Sequence, residues 1–250
     1  MNQEKIYTRL PVIQITGLKK SFGSNRVLNN FNIDLREGEN LIVLGKSGSG
    51  KSVLIKCIIG LILPDEGSIK IFDEEVTDMS HDELDMMRVK VGFLFQSNAL
   101  YDSMTIRENL EFPLRRHWVG GATDHVTDLV LEALTNVGLE KTIDMKPSEL
   151  SGGMRKRIAL ARTLILKPKI ILYDEPTAGL DPITGKEISN LMLDVQKKYN
   201  TSSIIISHDM SCVKIVANRI AVLIEGMCYA IGTYDELKQS DDIRIKQFFD

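Results

Sequence analysis

The chain has 250 residues, with 31 Lys and Arg against 34 Asp and Glu, a net charge of −3, and 43% hydrophobic residues. Those are the proportions of a globular protein long enough to bury a core without disulfide or metal staples. Both signs of charge are interspersed, so no Lys/Arg cluster is broad enough to bind nucleic acid by counterion release, and nucleic acid is not an expected partner.

Residues 12–16 and 31–35 alternate apolar and polar, and the second run is followed by the turn pair Glu37-Gly38. They read as strands of an antiparallel sheet with one wet face. Residues 41–44, 170–173, 203–206 and 220–224 are instead continuously apolar, the mark of strands buried on both faces in a mostly parallel sheet covered by helices. Residues 68–72 alternate again and rejoin the antiparallel part. From Gln96 to Lys167 the spacing is helical, with capping boxes at Ser80/Glu83 just before this stretch and Thr105/Glu108 within it, and stops at Gly138 and Pro168. Asp181 and Pro182 start another helix as N-cap and first-turn proline. The pattern predicts a single α/β domain over residues 1–250. Its core and antiparallel subdomain occupy about 10–95 and 168–235, a helical insertion about 97–167, and a tail about 236–250.

Cys57, Cys212 and Cys228 are odd in number and spaced for neither a disulfide framework nor a zinc site, which fits a reducing compartment. Cys57 reads as a small buried hydrophobe, and Met79, Met86, Met87 and Met104 as core filler. Glu4, Lys5 and Arg9 interrupt the segment where a secretory signal needs an apolar run. The longest apolar runs, such as 57–63, fall short of the ~20 residues that span a bilayer. Work at a membrane would need a spanning partner.

Residues 45–52, Gly-Lys-Ser-Gly-Ser-Gly-Lys-Ser, lie after the run 41–44 and before an apolar helix starting near Ser52. This is the phosphate-loop pattern in its required context. Glycines at 45, 48 and 50 let backbone N–H groups curl round phosphate oxygens, and the helix N-terminus adds a favourable field. Lys51 reaches the β- and γ-phosphates and Ser52 ligates Mg²⁺. The buried run 170–173 ends in Asp174 and Glu175, a pair suited to holding Mg²⁺ (Asp174) and polarising an attacking water (Glu175). Leu150-Ser151-Gly152-Gly153-Met154 opens a basic helix over 155–166, a second helix N-terminus with free N–H groups and a serine hydroxyl. Two phosphate-binding helix starts in one chain suggest that one serves a neighbouring molecule.

These motifs together resemble the ATPase subunit of an ABC transporter over essentially the whole chain. The resemblance implies a P-loop NTPase cassette of α/β class, a mostly parallel core sheet, ATP and Mg²⁺ as ligands, and a head-to-tail homodimer. In it, 45–52 is Walker A, with Ser47, Ser49 and Val53 also at the nucleotide; Val53 stands where a second hydroxyl residue is common. Residues 170–175 are Walker B, and 150–154 the signature whose Ser151, Gly152 and Gly153 complete the other subunit's site. Met154 departs from the usual glutamine there. Gln96, after Val91-Gly92-Phe93-Leu94-Phe95, matches the Q-loop glutamine that senses Mg²⁺ and water, and Asp181 in Ala178-Gly179-Leu180-Asp181 matches the D-loop. His208 matches the switch histidine near the γ-phosphate, and Phe22 the aromatic that stacks on adenine. Catalysis is implied for Glu175, His208, Lys51 and Gln96, and metal binding for Ser52, Gln96 and Asp174.

Residues 95–100 with Ser103-Met104-Thr105, Glu108-Asn109 and Pro113-Leu114-Arg115, then 153–157, then 242–249, are similar to the ATPase of Mla-type systems, which move phospholipid with lipid-binding MCE proteins. That implies an integral-membrane permease, a periplasmic MCE-type partner, and a peripheral location on the cytoplasmic face of the bacterial inner membrane. Leu100, Tyr101 and Met104 are expected to form an apolar groove for a permease helix. The alternatives are the ATPase of an importer of polar amino acids or other small solutes and, more remotely, a soluble ABC-type ATPase of DNA repair or translation.

Overall fold

The computed structural model describes residues 10–117 and 125–249. Pro11–Phe22 (β1) and Asn25–Arg36 (β2) pair antiparallel from Phe22↔Asn25 to Pro11↔Arg36 around a turn with Gly23 at φ +61°. Both strands outrun the alternating segments that announced them. Register shifts such as the one between Ile15 and Leu18 break the period of two, so residues past Thr16 pair without showing it in their hydropathy. Glu66–Ile71 (β4) pairs with the other edge of β1, and Glu74–Glu75 (β5) completes the order β2-β1-β4-β5.

The second sheet contains Asn40–Leu44 (β3), Val91–Leu94 (β6), Ile170–Asp174 (β7), Ser202–Ile206 (β8), Arg219–Ile224 (β9) and Met227–Gly232 (β10). Its order is β10-β9-β3-β8-β7-β6, parallel throughout except for the β9–β10 hairpin. The continuous apolar runs became β3, β7, β8 and β9, while β6 and β10 carried no strand signal. In β6 the apolar run is interrupted by Gly92, where a Cβ would stand 2.6 Å from Thr163 Cγ2, so packing against a helix demands the glycine. In β10 partial burial on an edge leaves no clean alternation.

Helices Lys51–Ile58 (α1), His81–Lys90 (α2), Ile106–His117 (α3), Val126–Thr135 (α4), Gly152–Leu164 (α5), Pro182–Tyr199 (α6), Met210–Val216 (α7), Tyr234–Lys238 (α8) and Ile243–Lys246 (α9) fill the connections. The Ser80/Glu83 box caps α2. Before α3, Thr105 N donates to Glu108 and Glu108 N donates back to Thr105 Oγ1. Asp181 accepts from Ile183 N and Thr184 N to start α6. Gly138, at φ +67°, ends the turn after α4.

Three apolar clusters organise these elements. One lies between the two sheets and includes α1, with Cys57 buried in it; the second lies between the parallel sheet and α6 and α7; the third joins α3, α4 and α5. Met87 is core as expected and Met79 packs on it, but Met86 is 60% exposed because it lies on the outward side of α2. Among the described residues, no helix is long and apolar enough to cross a membrane.

One ion pair joins the sheets. Glu39, wholly buried, receives Arg219 Nε at 2.7 Å and Nη2 at 3.1 Å, and Arg219 reaches across to the carbonyl and carboxylate of Asp34 on β2. Burial pushes the Glu39 carboxyl up against the opposing pull of Arg219. Arg219→Met therefore leaves an unpaired buried carboxyl and is expected to cost about 3–5 kcal/mol in urea denaturation. Without Arg219 the folded pKa of Glu39 lies above its unfolded value. Stability is then present at low pH and lost as pH rises, so the deficit is larger at pH 8 than at pH 5. Adding Glu39→Gln recovers part of the loss and flattens the pH dependence.

Candidate functional site

Strand order decides what meets at the site. In β3-β8-β7-β6 the register pairs Val43 with Ile206, Ile206 with Asp174, and Tyr173 with Leu94, so all four parallel strands end at one edge. Neighbouring strands are about 4.8 Å apart, which sets the loops after them side by side within about 15 Å. Those loops carry Gly45 to Lys51 after β3, His208 after β8, Glu175 after β7 and Gln96 after β6. Ligand clefts of open α/β sheets form at this edge.

The loop after β3 is shaped by two left-handed glycines, Gly48 at φ +77° and Gly50 at φ +101°. A Cβ on Gly50 would stand 2.6 Å from Val27 Cγ1 and 2.9 Å from Val27 O, so β2 presses where only glycine fits. Gly50 is also the N-cap of α1, which has no side-chain cap and no acidic residue in its first turn. The helix therefore presents bare N–H groups and an unneutralised dipole. Lys51, almost buried, donates from Nζ to the carbonyls of Gly45 at 2.8 Å and Lys46 at 3.0 Å. Burial pushes its pKa down, while Glu175 and Asp174 act to raise it.

Ser52 Oγ donates to Asp174 Oδ1 at 3.1 Å. Burial raises the Asp174 pKa, the Ser52 hydrogen bond lowers it, and Glu175 adds to the rise. Glu175 sits at φ +50°, a left-handed conformation for a non-glycine residue, with its N–H on Ile206 O and Oε2 hydrogen-bonded to His208 Nδ1 at 2.8 Å. Backbone strain held at one carboxylate is a mark of functional sites.

A cavity of about 660 Å³ opens over these groups. Phe22, Gly45, Ser47, Gly48, Gly50 and Lys51 line it, and so do Ser52, Val53, Gln96, Glu175 and His208. Phe22 is half exposed at the end of β1, with the Lys20 ammonium 5.5 Å from its ring centroid. Asp174 meets the site through Ser52 rather than at the cavity wall. Ser49 is not on the wall: its Oγ is buried without a partner, and a Cβ on Gly45 would lie 2.6 Å from it.

The remaining expected residues lie elsewhere. Ser151 caps α5 by accepting from Met154 N, and Asp181 is engaged by its own helix start. These two helix starts adjoin, since Cβ atoms on Gly153 and Gly152 would stand 2.5 Å from Thr184 Cγ2 and 3.8 Å from Leu180 Cδ2. Ser151, Gly152, Gly153 and Asp181 thus form one patch outside the cavity.

Four wall residues were not named as site residues in the sequence reading: Val27, Lys46 within the 45–52 motif, and Gln247 and Phe248 within 242–249. The last two arrive because Ile245, Phe248 and Phe249 pack on the α6/α7 core, a long-range contact without a local signal. A second cavity, of about 530 Å³, runs between α2, α3, β6 and α5 and is lined by Phe93, Phe95, Tyr101, Phe112 and Arg116 among others. Of the three residues expected in this groove only Tyr101 lines it. Leu100 packs on the two neighbouring cores, and Met104, half-buried, is not on the groove wall.

The fit to a nucleotide and Mg²⁺ follows from the donors present. The cradle admits no Cβ at Gly50, the uncapped start of α1 lies beside the Lys51 ammonium, and Ser52 with Asp174 offers the oxygen ligands that Mg²⁺ prefers. The described residues contain no group of three or more His, Cys, Asp or Glu that could hold a metal by themselves. A Mg²⁺ here would take its other ligands from phosphate and water.

Residues 28–178 match the family model described as ABC transporter. The chain belongs to that family. It is 39% identical over 96% of its length to the probable ribonucleotide transport ATP-binding protein mkl of Mycobacterium leprae (strain TN), covering 70% of that protein. It is 39% identical to the methionine import ATP-binding protein MetN of Clostridium tetani (strain Massachusetts / E88) over 91% of this chain and 70% of that one. It is 35% identical to the intermembrane phospholipid transport system ATP-binding protein MlaF of Haemophilus influenzae (strain ATCC 51907 / DSM 11121 / KW20 / Rd) over 95% of this chain and 89% of that one. Among solved structures, a dimeric post-hydrolysis state of the ATP-binding cassette MJ0796 bound to ADP and Pi aligns with a TM-score of 0.81 at 32% identity, over 88% of this chain and 98% of that one.

In this ABC transporter ATPase the loop around Gly50 is the expected phosphate cradle. Gly50→Ala adds a Cβ into Val27 and an unfavourable φ, strain of about 1–3 kcal/mol. ATP affinity in a fluorescent-nucleotide titration is expected to fall about tenfold or more; an unchanged affinity would show that the loop does not cradle the phosphates.

Proposed function

We propose that this ABC ATPase drives phospholipid movement between membranes, hydrolysing ATP on the cytoplasmic face of the bacterial inner membrane as the peripheral partner of a permease and an MCE-type lipid-binding protein. The observation that carries the chemistry is the meeting of Lys51, the Ser52–Asp174 pair and the Glu175–His208 pair at one cavity. Lys51 and the loop amides hold the β- and γ-phosphates, and Phe22 stacks on adenine. Glu175 orients water for in-line attack on the γ-phosphorus, the bond to the β–γ bridging oxygen breaks, and Lys51 and His208 stabilise the charge that develops. Mg²⁺, held by Ser52 and Asp174 with Gln96, would neutralise charge on the β- and γ-oxygens. A second copy facing head to tail supplies Ser151, Gly152, Gly153 and Asp181, which explains why these residues gather outside the chain's own cavity.

The choice of lipid rests on the resemblance of 95–115, 153–157 and 242–249 to Mla-type ATPases and on the likeness to the H. influenzae protein. The α2/α3 groove suits a permease helix: Tyr101 and Phe112 stack at 4.9 Å between centroids, with Arg116 at the rim. The likeness to MetN favours a second reading, the ATPase of a small-solute importer, with the same nucleotide chemistry and a different permease.

Glu175→Gln is expected to bind ATP normally and hydrolyse it about 10²–10⁴-fold more slowly, the range for loss of a general base; near-normal turnover would remove Glu175 from this role. Purification of the complex from membranes, with identification of partners and bound lipid, tests the substrate. An MCE-associated permease with phospholipid is the expected result, and a solute permease without an MCE protein overturns the lipid reading while leaving the ATPase intact.

A further inference from the structure

Lys156 is a buried cation to which the chemistry above gives no part. It is 2% exposed on α5, five residues past Ser151, and its Nζ donates to the main-chain carbonyl of Gln96 at 3.0 Å. Lysine is almost never this buried without partners. Its neighbours in sequence behave differently: Arg155 turns back to the Leu150 carbonyl, and Arg157 pairs with the half-exposed Glu187. One and a half turns further along α5, Arg162 donates to the carbonyls of Ala99 at 2.7 Å and Asn98 at 3.1 Å. Asn98 and Ala99 have φ of +64° and +52°, so the chain after Gln96 makes a left-handed turn whose carbonyls α5 holds. Of these grips only that of Lys156 acts on the residue whose side chain lines the nucleotide cavity. Burial lowers the Lys156 pKa while Asp174 and Glu175 act to raise it, and the pairing of Leu94 with Tyr173 sets Gln96, just past β6, beside the end of β7.

We infer that Lys156 is the positioning residue for Gln96, fixing the main chain of that residue between α5 and the end of β7 so that its side chain enters the site at a set height. The inference rests on the role given to Gln96 above. It also gives α5 a mechanical function. The helix starts at Ser151, which the second copy's nucleotide would touch, and Lys156 lies about 7.5 Å further along the axis. A displacement of the helix start by that nucleotide would reach this chain's own Gln96 through one side chain, linking the two ATP sites of a dimer.

The test is a double-mutant cycle in the full-length ATPase, with kcat, KM for ATP, the Hill coefficient and Tm measured for Lys156→Met, Lys156→Arg, Gln96→Ala and Lys156→Met with Gln96→Ala. Met keeps the volume of the stem but leaves the Gln96 carbonyl without its donor, so a modest fall in Tm is expected beside the change in kcat. The expected results are a kcat at least tenfold lower for Lys156→Met with KM within twofold, a Hill coefficient nearer 1, and recovery of most activity in Lys156→Arg. The double variant should be no slower than Gln96→Ala, because Lys156 acts through that side chain. Wild-type kcat in Lys156→Met, or losses that add in the double variant, would overturn the positioning role alone. A Gln96→Ala enzyme with normal kcat would instead overturn the role of Gln96 on which the inference stands. Should Lys156→Met unfold, a Lys156→Arg enzyme as slow as Gln96→Ala counts against the inference and a fast one supports it.

Discussion

Main-chain hydrogen bonds from β3 to β8 and from β8 to β7 hold Val43, Ile206 and Asp174 in one row, and the cavity's phosphate loop and catalytic candidates hang from the residues just beyond that row. A shift of register by one residue would exchange the alternate side chains of these wholly buried strands between two cores packed for different shapes, which close packing resists. The positions of Ser52, Glu175 and His208 relative to one another are thus consequences of packing far from the nucleotide. Glu175 shows the coupling most directly, since its N–H is tied to Ile206 O across the strand end. That tie holds the left-handed turn that sends its carboxylate to His208 and not along β7.

Electrostatics at the cavity floor are balanced between unlike groups that burial has partly desolvated. Burial lowers the Lys51 pKa and raises that of Asp174, each moving against its charged form, while the charges of the two groups oppose those shifts. A polyanion with Mg²⁺ would complement both halves, its phosphates held by Lys51 and the α1 N-terminus and its cation by Asp174 with Ser52. Such a site would gain affinity from ligand charge without rearranging its own backbone.

Much of this was legible in the sequence because the chemistry there is local. Gly45 to Ser52 encode their own turn and helix start, and Asp174 and Glu175 close an apolar run whose length marks a strand. What was not legible depends on contacts across the chain. Strand β6 was hidden because Gly92 yields its side-chain space to Thr163. Gln247 and Phe248 come to the cavity because a few apolar residues of the tail fit the α6/α7 core, which nothing near them in sequence foretells. Lys156 was the most misleading: between Arg155 and Arg157 it reads as one more solvated charge on a basic helix. Met86 erred the opposite way, an apolar residue that the turn of α2 leaves in solvent.

The patch of Ser151, Gly152, Gly153 and Asp181 bears on the proposed dimer. The two helix starts differ in charge: α5 has the neutral cap Ser151 and no acidic residue in its first turn, whereas the Asp181 carboxylate accepts from two N–H groups at the start of α6. The positive helix end on this face is therefore that of α5, where Ser151 satisfies one N–H group. The cavity over Lys51 is likewise walled by the chain on its floor and sides, with Phe22 and His208 largely exposed at its margins. A polyphosphate held between the two surfaces would meet a helix N-terminus from each side, one from α1 of its own chain and one from α5 of a second copy. An anion so held would join the copies, and departure of the cleaved phosphate would remove charge that both helix ends share.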